Sequence, residues 1–501
     1  MNKESPGKPL RGMKLGRLLQ AVPTAVLDGA AATEITGLAY DSRAVRPGHL
    51  FFALPGEKTD GGLFIADAVR RGAAAVVLEK NARSPRDLPC VQVDCARTAM
   101  ADLAAEFHGQ PSRKLHVVGV TGTNGKTTTV FMVRDILRAA GTPSGLIGTI
   151  HYEFGERRIS ASRTTPESLD LQRMFHEALQ AGCKAVAMEV SSQGLAAERL
   201  RGTHFAAAVF TNLSVDHLDF HKTMEAYFDA KKRLFDALAG QSPAAPAVVN
   251  IDDAYGRRLA AEPALRGRLV TYGCAPAAMV RAEEIRLTET AADFRAVTPW
   301  GEAEVHLGFA GRFNVMNALA ALGVCGALGA PVAAMASALG GMGCVPGRLE
   351  RIEDPQGRHL FVDYAHTEDA LRNVLQTLRE TTTGRLICLF GCGGNRDRSK
   401  RPRMGAAVYD LADLAIVTSD NPRGEDPLEI IGEILPGMDR SRPHVVEPDR
   451  AEAIRAALRE ARAGDTVLFA GKGHEVYQEI AGRMLHFDDR EVVRDALAEG
   501  R

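Results

Sequence analysis

Apolar and polar positions fall in blocks along this chain. Short apolar runs are followed by a turn or a glycine-rich loop, then by a stretch of helical periodicity. Up to about Arg113, the runs Leu50–Leu54, Ala74–Glu79 and Val91–Val93 predict strands, separated by turn residues at Pro47–Gly48 and Asp60–Gly61–Gly62. Phe64–Arg71 predicts a short helix between them. From Leu115 the pattern becomes strand, loop, helix. Leu115–Val120 is followed by Lys126–Ala140, which has Val130, Val133, Leu137 and Ala140 on one face and Gly141 as its stop. Ala185–Val190, Ala206–Phe210 and Ala247–Asn250 predict further strands with helices between, and so a parallel sheet flanked by helices. After Pro346–Gly347 the alternation restarts. Strands are predicted at Leu360–Val362, Leu386–Phe390, Leu414–Thr418 and Thr466–Ala470, and helices near Asp369–Arg379, Pro402–Tyr409 and Arg450–Ala461. The expectation is an α/β chain of three domains, 1–112, 113–345 and 346–501: a small α/β domain, a central parallel sheet and a Rossmann-like α/β domain.

The stretch between Arg312 and Arg348 carries no charged residue and is formally long enough to cross a bilayer. Ala and Gly dominate it, Asn314 and Asn317 interrupt it, and Gly329–Pro331 breaks it. It predicts two buried small-residue helices, Val315–Leu328 and Val332–Leu339, rather than a membrane span. The whole chain has 501 residues, which fits three domains of about 150 each. Its 61 Lys and Arg against 62 Asp and Glu exclude a protein that coats nucleic acid, and give no pull toward anionic membranes. Eight scattered cysteines, none in a C-x-x-C pair, predict reduced thiols. The apolar stretch Leu18–Leu27 is interrupted by Gln20 and Pro23, so no secretory leader is expected. These readings predict a cytoplasmic protein, expected to be monomeric.

Candidate chemistry sits at the loops. Gly119–Thr128 (GVTGTNGKTT) joins a predicted strand to a predicted helix. There Gly122 and Gly125 let backbone N–H groups curl round phosphate oxygens, beside the positive end of the helix. Thr123, Asn124 and Thr128 belong to the same loop. Lys126 is placed to reach phosphates and the Thr127 hydroxyl to ligate Mg²⁺. Val120 stands where the strict pattern has glycine, so the loop is a variant P-loop. The central domain is thus expected to be P-loop ATPase-like. Glu189 ends a strand of the same sheet, which places a carboxylate on the ligand-binding edge, where it would hold Mg²⁺ or simply be solvated. Thr211–His221 concentrates Asp216, His217, Asp219 and His221, readable as a polar loop or as a His-x₃-His zinc element. Lys231, fourteen residues after His217, lies in the helical run Met224–Leu238.

In the last domain, four predicted strand ends carry polar loops: Asp363–His366, Gly391–Asp397, Asp420–Arg423 and Gly471–Glu475. Parallel strands bring all four to one rim. A rim of Arg, Asn, Asp and Glu suits a zwitterionic amino acid.

The run Gly122–Thr128 (GTNGKTT) resembles the nucleotide loop of the Mur ligases, the ATP-dependent amide-forming enzymes of peptidoglycan synthesis, and Thr211–His221 resembles their Thr-Asn-x₃-Asp-His-Leu-Asp-x-His signature. The resemblance runs through nearly the whole chain and implies roles. His217 and Lys231 would bind a second Mg²⁺, Lys231 as a carbamate (N6-carboxylysine). Lys126, Glu189, His217 and Lys231 would form the catalytic group, with Thr127, Glu189, His217 and Lys231 around Mg²⁺. Asn317 and Arg348, the latter in Pro346–Glu350, would join the loop in binding ATP. Asp41–Arg43 resembles a uridine-diphosphate-binding element, with Ser42 near the uracil. Thr164, Thr165, Ser191 and Arg199 would hold a UDP-muramoyl dipeptide. Asp420–Asn421–Pro422–Arg423 resembles the motif of members that add meso-diaminopimelate, with Arg396, Gly471 and Glu475 completing that pocket and Glu475 meeting the far ammonium. A guanidinium fork fits the extra carboxylate of diaminopimelate over lysine. The implied reaction is amide formation on the D-glutamyl γ-carboxylate through an acyl phosphate. A lysine-adding or folylpolyglutamate-type ligase lacks this Asp-Asn-Pro-Arg run, and a regulatory P-loop ATPase has no need of the second rim. The chain departs from the family pattern at Gln193, Ala197, Glu368 and Asn395.

Overall fold

The computed structural model describes residues 12–56, 60–80, 82, 88–242, 244–438 and 442–499. The chain forms two compact units, interleaved in sequence: Met1–Thr121 with Gly141–Val209 and Asp229–Ala247, and Gly122–Ala140 with Phe210–Phe228 and Val248–Arg501.

The first unit begins with a five-stranded sheet, in the order Val26–Asp28, Cys90–Val93, Ala75–Glu79, His49–Phe52, Gly37–Ala39, parallel except at its first strand. Its three inner strands are mostly apolar and buried because helices cover them, whereas Val26–Asp28 at the edge is largely exposed. Leu50, Phe52, Val77 and Val91 pack under helix Ala96–Phe107, and Leu169 of helix Ser168–Gln180 joins the same core. In the same unit Ala185–Glu189 pairs in parallel with His116–Thr121 on one side and Ser144–Ile147 on the other. The register sets Glu189 opposite Val120, so both strands end on one edge. An antiparallel hairpin, His151–Phe154 with Arg157–Ser160, extends this side.

In the second unit, helix Arg312–Ala327 is buried on nearly every side, including Asn314 and Asn317. Small residues let its neighbours approach: a Cβ on Gly326 would meet the Trp300 ring at 2.3 Å. The second helix, Val332–Gly340, follows after the Gly329–Pro331 break. Among the described residues, no helix is long and apolar enough to cross a membrane. Three antiparallel strands, Val280–Leu287, Ala292–Thr298 and Gly301–Leu307, stand where the sequence reading placed no element.

The C-terminal sheet runs Glu350–Ile352, His359–Asp363, Thr466–Ala470, Leu386–Phe390, Leu414–Val417, His444–Val446, parallel except at the first pair. The register pairs Asp363 with Ala470, Leu389 with Phe469 and Phe390 with Val417, so the four strand ends share one edge. A fully buried ion pair ties two of them. Arg450 meets Asp489 at 2.6 Å and donates to the carbonyls of Ser419 (3.2 Å) and Ala470 (2.9 Å), the residues just before Asp420 and Gly471.

Candidate active site

Residues Gly122–Gly125 turn from strand His116–Thr121 into helix Lys126–Ala139. Gly122 and Gly125 adopt φ of +148° and +84°, and a Cβ would lie 1.8 Å from Thr211 Oγ1 at the first and 2.3 Å from Asn317 Oδ1 at the second. The turn therefore requires glycine twice. The loop is braced by the backbone N–H groups of Thr123 and Asn124, which donate to the Asn212 carbonyl and Asn212 Oδ1, each at 2.9 Å. Thr211 Oγ1 donates to the Asn124 carbonyl at 2.6 Å. Lys126 Nζ curls back onto the carbonyls of Gly122 (2.9 Å) and Thr123 (2.8 Å), the lining a phosphate would share. Arg348 donates to the Thr127 hydroxyl at 2.9 Å while its guanidinium lies 4.8 Å from the Tyr364 ring centre. Asn317, buried beside Gly125, is oriented by its bond to Asn314 at 3.1 Å.

Two residues the sequence reading missed join this loop. Tyr227 holds its hydroxyl 3.2 Å from that of Thr123, stacks on His221 at 5.0 Å and meets His217 edge-on at 6.0 Å. Burial pushes its phenol pKa up. His217 itself takes a left-handed backbone (φ +54°) that starts the single helical turn Leu218–His221. Asp369 Oδ2, in the first turn of helix Glu368–Thr381, accepts from Asn124 Nδ2 (2.9 Å) and Ser214 Oγ (2.7 Å). An acidic residue there reads from sequence only as dipole compensation. Against the zinc reading of His217 and His221, no group of three His, Cys, Asp or Glu gathers at metal-binding distance among the described residues.

In the first unit, Glu189 is 1% exposed at its strand end. Its carboxylate accepts from the N–H of Thr149 (2.7 Å) and the hydroxyl of Thr149 (3.1 Å), and that hydroxyl lies 3.1 Å from Thr164 Oγ1. Thr165 donates to the Glu189 carbonyl at 2.9 Å and accepts from the Ser191 N–H at 3.0 Å. Ser191 caps the next short helix, accepting from the Gly194 N–H. Arg199 donates to the Thr165 carbonyl (3.2 Å) and pairs with Glu167 (3.0 Å). Glu167 also meets Arg97 at 3.2 Å and Arg163 at 3.9 Å, so one carboxylate faces three guanidinium groups. Thr164, Thr165, Ser191 and Arg199 are thus gathered against Glu189. Ser42 is buried in a 3₁₀ turn begun by Asp41, and the contacts described for it stay with Asp67 and its own turn. Gln193 lies in the helix that Ser191 starts, and Ala197 closes it. Lys231, on helix Met224–Gln241, is 1% exposed.

At the C-terminal sheet edge, the remaining residues converge. Asn421 Nδ2 donates to Glu475 Oε2 at 2.8 Å. Gly471 (φ +111°) sets its Cβ position 3.9 Å from Asp420 Cγ. A Cβ on Gly393 would lie 2.8 Å from Arg423 Nη1 and 3.8 Å from both Arg396 Cγ and Asp420 Oδ2, which brings both arginines and Asp420 round one point of the rim. Asn395 (φ +53°) accepts from the Gly424 N–H at 3.0 Å, which ties the Gly391–Asp397 loop to the end of the Asp420–Arg423 loop. Arg423 holds φ +55°, and hairpin Tyr477–Ile480/Arg483–His486 grips its loop. Gln478 donates to the Asp420 carbonyl (2.7 Å), Glu479 N–H to Asn421 Oδ1 (3.0 Å), Arg423 N–H to the Glu479 carbonyl (2.9 Å) and Ala481 N–H to the Arg423 carbonyl (2.6 Å). The Glu479 carboxylate sits 3.3 Å from Arg423 Nε. Lys472, which the sequence reading passed over, is fully buried against Asn421 (3.3 Å) and Glu475 (3.2 Å). Burial raises the Glu475 pKa above the ordinary range, with Asp420 adding to the effect.

Loops collected at the carboxyl ends of parallel strands, one of them glycine-bent onto a helix N-terminus, define an α/β protein of the nucleotide-loop class with a second, charge-lined rim. Comparisons with known proteins narrow the class. Residues 34–108 match the Mur ligase family catalytic domain, 120–325 the Mur ligase middle domain and 347–473 the Mur ligase glutamate ligase domain. A UDP-N-acetylmuramoyl-L-alanyl-D-glutamate–2,6-diaminopimelate ligase of Geobacter metallireducens is 46% identical over 97% of this chain and 99% of its own. One from Streptomyces coelicolor is 45% identical over 99% of each. A solved structure of a ligase of that name superimposes with TM-score 0.69 at 33% identity, covering 98% of this chain and 99% of that one. The fold is also that of a MurF from Acinetobacter baumannii (TM-score 0.70, 21% identity, 98% and 100% covered). The chain belongs to the Mur ligase family.

Proposed function

We propose that this chain joins meso-2,6-diaminopimelate to the D-glutamyl γ-carboxylate of UDP-N-acetylmuramoyl-L-alanyl-D-glutamate at the expense of ATP, in peptidoglycan precursor synthesis. The observation that carries the reading is the gripped Asp420–Arg423 loop. Arg423 and Arg396 gather with Asp420 round Gly393, and Asn421 of the same loop reaches Glu475, so the rim offers both guanidinium and carboxylate groups to an amino acid with an additional carboxylate. The near full-length relatives that carry this activity in their names support the same choice. In this reading residues 1–112 take the uridine end, 113–345 the nucleotide and 346–501 the amino acid. The enzyme acts as a monomer in the cytoplasm, where ATP is supplied, and nucleic acid plays no part.

Lys126 exchanges its bonds to the Gly122 and Thr123 carbonyls for γ-phosphate oxygens, and stabilises charge developing there. Asn317 and Arg348 flank the nucleotide, with Gly122–Thr128 round its phosphates. Thr164, Thr165, Ser191 and Arg199 orient the dipeptide, and Ser42 its uracil. The acceptor carboxylate attacks the γ-phosphorus, ADP leaves, and an acyl phosphate forms. The deprotonated amine, held by Asn421, Pro422, Gly471 and Glu475, then attacks the acyl carbon, and phosphate leaves. Hard oxygen donors suit Mg²⁺: the buried Glu189 carboxylate and the Thr127 hydroxyl qualify as they stand, a carbamate would convert the buried Lys231 from a cation to an oxygen donor, and His217 would add a nitrogen donor. When bound, Mg²⁺ would neutralise phosphate charge. The test is phosphate release and product mass with ATP and the muramoyl dipeptide, offering diaminopimelate or L-lysine. A product heavier by one diaminopimelate residue is expected, and equal use of lysine would refute the assignment.

A further inference from the structure

Lys472 has no role in the reaction as derived so far, yet its surroundings are unusual. Its side chain is 0% exposed, with Nζ 3.2 Å from Glu475 Oε2, 3.3 Å from Asn421 Oδ1, 3.8 Å from Asp420 Oδ1 and 5.5 Å from the Tyr477 ring centre. A buried ammonium is costly unless matched by charge and hydrogen bonds. Here three matching groups are pocket residues. Asn421 Oδ1 faces two donors, Lys472 Nζ and the Glu479 N–H, which turns its amide nitrogen toward Glu475. Lys472 thus acts on Glu475 directly and through Asn421.

We infer that Lys472 is a positioning residue for the amino-acid pocket: its ammonium contacts the carboxylates of both Asp420 and Glu475 and offsets one of them, so that this end of the pocket carries one excess negative charge and takes an ammonium group of the substrate. Two carboxylates and one ammonium leave a net charge of −1. Without the ammonium, the partly buried Glu475 carboxylate beside Asp420 loses its charged partner and takes a proton more readily. Burial and Asp420 already push Glu475 up, and Lys472 opposes them. Other charged or titratable groups that face the pair include Arg450, the Tyr364 and Tyr477 phenols, His366, Cys392 and, beside Asp420 at Gly393, Arg423. The inference rests on the diaminopimelate reading above.

The experiment is steady-state kinetics of the full chain with saturating ATP and muramoyl dipeptide, varying diaminopimelate across pH. In Lys472→Met the KM for diaminopimelate rises roughly tenfold, the KM for ATP stays within about twofold, and the acid limb of kcat/KM for diaminopimelate moves up by about one pH unit. The substrate's own ammonium titrates identically in both proteins, so the displacement reports on the enzyme. Lys472→Gln keeps a donor toward Asn421, removes only the charge, and gives the same displacement even if the Met variant does not fold. Adding Asp420→Asn to Lys472→Met restores the charge balance and returns the limb toward its original position. Coincident pH profiles in an active wild type and variant overturn this inference alone, as does a parallel rise of both KM values with no displacement. A wild type without diaminopimelate-dependent ATP turnover overturns the functional reading, and this inference with it.

Discussion

Replacing Gly122 with alanine tests whether the phosphate loop works through its backbone shape. The added Cβ falls 1.8 Å from Thr211 Oγ1 and 3.1 Å from both N and O of Asn212. Thr211 cannot simply turn away, because its hydroxyl holds the Asn124 carbonyl at 2.6 Å. Three costs add. A side chain at this positive φ costs about 1–2 kcal/mol, the lost hydrogen bond about 1 kcal/mol, and residual overpacking about 1–3 kcal/mol. The loop escapes by leaving this conformation, and nucleotide binding must then restore it. The total of roughly 3–6 kcal/mol corresponds to a rise of about 100-fold or more in the KM for ATP. The assay is amine-dependent phosphate release with ATP varied, and Thr211→Ala in the same chain removes the nearest obstacle and recovers about tenfold of the loss. A KM for ATP within about threefold of the parent in Gly122→Ala would refute the reasoning.

Arg423→Ala raises the KM for diaminopimelate by roughly 10- to 100-fold, as expected for loss of a charged hydrogen bond, while the KM for ATP holds; an unchanged diaminopimelate KM removes Arg423 from recognition. Asp489→Asn leaves the fully buried Arg450 without its counter-charge and destabilises the C-terminal region by about 3–5 kcal/mol, read as a lower urea midpoint; an unmoved midpoint refutes this. Arg401, chiefly, with the Asn395 N–H holds Glu425 at a pKa of about 2, well below the ordinary glutamate range. Its stabilisation is therefore present above that ordinary range and is lost as pH falls toward 2. Glu425→Gln should flatten the acid limb of the stability curve in that window, and an unchanged limb counts against the pair.

Much of the fold was legible because strands buried on both faces are continuous apolar runs. Leu386–Phe390, Thr466–Ala470 and Ala247–Asn250 were read to the residue. The three antiparallel strands within 280–307 escaped because one of their faces is exposed: in Ala292–Thr298 only alternate positions are buried, so no run forms. Thr164, Thr165, Ser191 and Arg199 lie together by Glu189, and Arg396, Asp420, Asn421, Arg423 and Glu475 at the C-terminal rim, since register aligns strand ends, whereas Ser42 keeps to its own turn. Tyr227, Asp369 and Lys472 left no signal. Each has a defining partner far away in sequence, Thr123 for Tyr227, Asn124 for Asp369 and Asn421 for Lys472, and a lysine between two glycines reads as a solvated loop residue.

The hairpin around Arg423 bears on how amine choice could change in evolution or by design. Arg423 is not a side chain hung on an independent loop. Its left-handed backbone is fixed by Glu479 and Ala481, and its neighbours Asp420 and Asn421 by Gln478 and Glu479. Two segments more than fifty residues apart thus form one heritable module. A single exchange at 423 would strand a hairpin shaped for an absent guanidinium. Specificity should therefore be transplanted as the pair of segments, 420–423 with 477–486, and a chimera carrying only one of them is expected to lose one amine without gaining another.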